Sequence, residues 1–133
     1  MSALPAKMIE RLTKVAEVVA DEKKNLHFFG LVHRTNAMHD RWDLLVSSDK
    51  LTAWSHEALK YIVEKLKKVG KLPADDMVRI ARIVALPPNN KVIDLIEDER
   101  VPPGKLSVLH HADRFDQALV IWPKSASHVA ARH

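Results

Sequence analysis

The chain has 133 residues, 47% hydrophobic and 29% charged, which fits one domain that buries roughly two-thirds of its unfolded surface without a staple. It has no cysteine, and this removes disulfides, thiolate metal sites and a cysteine nucleophile together. The net charge of +4, from 21 Lys and Arg against 17 Asp and Glu spread along the chain, is a mild excess that demands no anionic polymer.

No run approaches the ~18 consecutive apolar residues of a membrane span. The opening MSALPAKMIERLTK mixes apolar residues with charges and so lacks the apolar region of a secretory signal. The expected compartment is the cytoplasm, with no membrane partner.

Pro5 suits a first helical turn, and Met8, Ile9, Leu12, Val15, Ala16 and Val19 recur at three- and four-residue spacing, which predicts an amphipathic helix to about Lys24. Leu26 to Arg34 is apolar on both alternating faces and reads as a central strand covered on both sides. The connector His33 to Arg41 has no apolar period and concentrates His, Arg, Asn and Asp, as a surface loop does. Trp42 to Ser47 is the second strand, with Asp43 its odd residue.

Leu51, Trp54, Ala58, Ile62, Leu66 and Val69 keep a helical stripe until Gly70, with Ser47, Ser48 or Asp49 as caps. Pro73 to Val78 predicts a short helical turn with Asp75 and Asp76 at its positive end. Ala81 to Leu86 reads as a buried strand stopped by Pro87 and Pro88. Asn89 or Asn90 caps a helix holding Val92, Ile93 and Ile96, and Glu97 to Lys105 is an exposed loop. Leu106 to His110 and Gln117 to Trp122 form an antiparallel pair.

The interleaving of helix and strand signals predicts an α/β (α+β) fold. It is a single domain over 1–123, in the order α-β-β-α-β-α-β-β, with a mixed sheet of about five strands. Because the central strands are apolar on both faces, helices should cover both. The basic segment 124–133 has no period and reads as a flexible or partner-docked tail.

Two constellations carry chemical options. Histidines and carboxylates flank the central stretch, and His39, Asp40, Asp43 and His56 are the residues that could converge on a metal, although no HExxH spacing requires it. Asp43 could instead be structural, paired with Arg41 or Arg82 or held by backbone donors. Trp42, Trp54 and Trp122 each fall within an apolar period and are expected in the core or an interface; a stacking platform is their other use.

The segment FFG, a polar turn and then WDLLVS resembles the core of minimal nucleotidyltransferases of the polymerase-β type, over Phe28 to Ser47 only. In that family a strand ends at Gly-Ser and the next strand carries two carboxylates at alternate positions. Gly30 matches the glycine and Asp43 the second carboxylate, while Leu31 replaces the serine and Arg41 the first carboxylate. The third carboxylate is missing from Ala81 to Leu86. The resemblance implies a nucleotide site at Gly30, Arg41 and Asp43, with Mg²⁺ or Mn²⁺ as cofactor if catalysis is retained.

Since no complete catalytic set assembles, the leading expectation is a non-enzymatic, cofactor-free binding or accessory module. It would self-associate as a homodimer through the last apolar strand or bind a protein partner. The alternative is a nucleotidyltransferase-like, metal-dependent enzyme acting on a nucleotide or phosphodiester, with Asp43 as metal ligand. Nucleic-acid binding through Lys65, Lys67, Lys68, Lys71 and the tail is a third reading.

Overall fold

The computed structural model of the chain describes residues 4–110 and 112–123, so the expected tail 124–133 and His111 lie outside the described residues. The elements are α1 (Ala6–Lys23), β1 (Leu26–Arg34), β2 (Trp42–Ser48), α2 (His56–Lys68), α3 (Ala74–Arg79), β3 (Ile80–Leu86), α4 (Lys91–Asp98), β4 (Ser107–Val108) and β5 (Phe115–Trp122). They form a single α/β domain around one five-stranded sheet of order β3-β2-β1-β5-β4. The sheet is mixed, because only β2 and β3 run parallel.

The alternating apolar faces of β1 dictate two cores. Phe29 and Leu31 point to the side where Met8, Leu12 and Val15 of α1 pack with Ile62 and Leu66 of α2. Phe28 and Val32 point to the other side, against Ile93 and Ile96 of α4. Helices therefore cover both faces, as two-sided apolar strands require.

Gly30 lies in the middle of β1. A Cβ there would sit 2.6 Å from the Leu119 carbonyl oxygen of β5 and 2.9 Å from the Phe28 ring, so the residue lets strand and ring close over it. It is not at a strand end, since β1 runs on to Arg34.

The short helical turn expected after Pro73 is present as α3, and three sequence expectations are corrected. The second long helix starts at His56, not near Leu51, because Ser55 Oγ accepts from Ala58 N at 3.1 Å and caps it there. β3 is an edge strand with Ala81 and Arg82 exposed, and only Ala85 and Leu86 are buried. β5 is not an edge: β1 flanks it on one side, while β4 and the 2.7 Å bond from Gly104 N to Val120 O cover the other. Among the described residues, no helix is long and apolar enough to cross a membrane.

Candidate functional site

Asp43 is one of five polar or charged residues buried among the described residues, at 1% exposure. Strand register explains its company. Asp43 is the partner of Arg82 on β3 and of Val32 on β1, so Arg82 and Arg34 emerge on the same sheet face. Asp43 Oδ2 accepts from Arg82 Nη2 at 2.8 Å and from Arg82 Nε at 3.3 Å. Arg34 Nε lies 3.1 Å from the same oxygen as an ion pair, without the alignment of a hydrogen bond. The bond to Asp43 raises the Arg82 pKa further, against the opposing effect of desolvation. Asp43 Oδ1 and Ser47 Oγ, two buried atoms of the same strand, have no hydrogen-bond partner among the described residues.

Both arginines line a groove of about 670 Å³ on this face. Its floor is aliphatic, from Leu45, Val84, Leu86 and Val92. Thr35 and Arg114 also line it, their backbones joined by a 2.8 Å bond from Thr35 N to Arg114 O. The Arg114 side chain is exposed, adding a third guanidinium to the lining, with Asp113 the one carboxylate on the rim. Trp54 forms another part of the wall and is 68% exposed.

The three tryptophans, expected in the core or an interface with stacking as their other use, separate here: Trp54 is not core. Trp42 is buried and Trp122 half-buried, its Nε1 donating to Leu26 O at 2.9 Å. The Trp54 backbone has φ 63°, and its N–H donates to Ala85 O at 3.0 Å, tying the turn before α2 to the outer side of β3.

The remaining candidates lie elsewhere. Arg41 turns away from Asp43, its Nη1 donating to Val78 O. His39 is exposed in the connector, and His56 is exposed at the first residue of α2. Among the described residues, no three His, Asp or Glu side chains gather as a metal would need, so the set His39, Asp43 and His56 is not brought together. Of the lysine run, Lys65 is paired with Glu22 and Lys68 with Glu64.

Sequence reasoning took His33 only as the polar end of a strand and one of the histidines flanking the central stretch. It is buried, its Nδ1 2.8 Å from Asp116 Oδ1 and its Nε2 2.8 Å from Met38 O, and its ring meets Trp42 edge-on at 5.2 Å. His33 braces the connector against the start of β5, beside Arg34 and Arg114. A polar residue ending an apolar strand was its only signal in the sequence.

No family model, no curated protein and no solved structure matches this chain.

Proposed function

We propose that the protein is a non-enzymatic binding module that holds an anionic ligand in this groove, with phosphate or carboxylate oxygens on Arg82 and Arg114. The observation that carries the reading is the gathering of Arg34, Arg82 and Arg114 along one groove of about 670 Å³, a size that suits a small molecule. Guanidinium groups offer planar, multiple donors to such oxygens. Asp43 neutralises part of the charge and fixes two of the three side chains, so the site is organised before a ligand arrives. Self-association belongs to the same reading, with β3 as the strand a second copy would pair with.

The metal-dependent reading would require Asp43 to exchange two guanidinium partners for Mg²⁺ or Mn²⁺. One carboxylate against two arginines favours charge balance over metal binding.

The test is a thermal-shift series at low ionic strength with phosphate, pyrophosphate and small dicarboxylates. A bound anion at 100 times its Kd should contribute about 2.7 kcal/mol and lose it as salt rises. Arg114→Ala should abolish the shift and leave the unliganded melting unchanged, since this side chain is exposed. No response to any anion, with a Mg²⁺ response that vanishes in Asp43→Asn, would replace this reading with the nucleotidyltransferase-like one.

A further inference from the structure

We infer that the anionic group is carried on a planar ring, and that the groove selects small aryl or heteroaryl phosphates or carboxylates by stacking the ring on Trp54. This inference rests on the anion-binding reading above. Of the described tryptophans, Trp54 alone is left mostly in solvent, at 68% exposure, although the indole is among the most costly surfaces to leave wet. It is also held in the left-handed backbone region, at φ 63°, where a bulky side chain is uncommon. The bond from its N–H to Ala85 O fixes that conformation on β3, the strand that also supplies Arg82. An exposed aromatic ring is thereby kept at the wall of a groove instead of folding into the core.

The rest of the lining fits a flat apolar body. Leu45, Val84, Leu86 and Val92 offer no donors or acceptors from their side chains, so the space below Trp54 rewards a ring and leaves a polar chain unsatisfied. Arg34, Arg82 and Arg114 line the same groove as Trp54 and the aliphatic residues, so an acidic substituent on the ring would find a guanidinium partner within it. A free inorganic anion would use the arginines and leave Trp54 and the floor in water. A flat ring bearing one acidic group uses all three features.

The experiment titrates the protein with inorganic phosphate, phenyl phosphate and cyclohexyl phosphate, and with benzoate and cyclohexanecarboxylate. Tryptophan fluorescence and calorimetry are the readouts. Phenyl phosphate or benzoate should bind at least about fivefold more tightly than its saturated counterpart and quench emission, because stacking needs a π-face. Trp54→Ala should make each pair equal, and Trp54→Phe should keep the preference. Trp54→Leu, which keeps apolar bulk without a π-face, should behave as Trp54→Ala and guards against a loss caused by packing alone. Equal binding of planar and saturated rings by the wild type, or a preference that survives in Trp54→Ala, overturns the inference while the anion-binding reading stands. Failure of every anion to bind overturns both.

Discussion

Asp43 is almost fully removed from solvent, whereas the side chains of the two arginines that hold it are 34% and 55% exposed. Replacing it with Asn leaves both cations without a counter-charge, but each can turn partly to water, which softens the cost of breaking a buried pair. Asp43→Asn should therefore lose about 2 kcal/mol in urea unfolding, with an unchanged denaturant slope. Gly30→Ala should cost about 3 kcal/mol by overpacking, because the Leu119 carbonyl that meets the new methyl group is backbone in a central strand and cannot swing aside. That Asp43 needs a partner was legible in the sequence, since a lone carboxylate in an apolar strand demands one, but Arg41, Arg82 and backbone donors all stayed open until the β2–β3 register selected Arg82. Arg34 and Arg114 were not legible, because which strands lie beside β2 and β1 depends on a register that local pattern does not contain.

At the scale of elements, the start of α2 shows how spacing misleads. Leu51 and Trp54 extend the helical stripe by an i, i+3 step, yet Leu51 is buried as part of a turn and Trp54 faces out. Ser55 decides the boundary, and Ser55→Ala should cost about 1 kcal/mol, read from the shift in melting. β3 was read as a buried strand over Ala81 to Leu86, although Arg82 within it, which is exposed, already spoke for an edge. The central strands were read correctly because their apolar residues fall on both alternating faces, and both strands are buried along most of their length.

Helices α1 and α2 are joined at the surface by Tyr61 Oη, which donates to Glu22 Oε1 at 2.5 Å, and by Lys65 Nζ, 2.9 Å from that oxygen. The bond from Tyr61, then that from Lys65, holds the Glu22 carboxyl below its usual range. A lowered carboxyl stabilises the fold above its unfolded pKa and loses that effect as pH falls through the folded value. Wild type should thus exceed Glu22→Gln in stability at neutral pH, with the difference closing in acid. Burial, followed by the bond to Glu22, raises the Tyr61 pKa. Its contribution is present below the unfolded value of about 10 and lost as pH rises beyond it toward the folded one. Paired urea titrations at acid, neutral and alkaline pH check both signs.

For the whole molecule, covered faces leave the edges as the surfaces open to strand pairing. β4 has only two residues, so β3 is the longer exposed edge. Sedimentation should show a dimer at tens of micromolar that dissociates on dilution, and a monomer throughout would remove self-association from the proposal. EDTA should leave the melting curve unchanged, because both cores are apolar and no three ligands gather among the described residues. The same strand order governs how the chain can be assembled during synthesis. β2 emerges directly after β1 and can pair with it at once, but the other side of β1 is filled by β5, and the bond from Trp122 to Leu26 joins residues 96 positions apart. Until that last strand leaves the ribosome, Phe28, Phe29, Leu31 and Val32 stand along an open strand able to pair with a neighbouring nascent chain. A fragment ending before Phe115 is then no smaller version of the domain, but a sheet with its central strand bare, which a chaperone would have to hold or aggregation would claim.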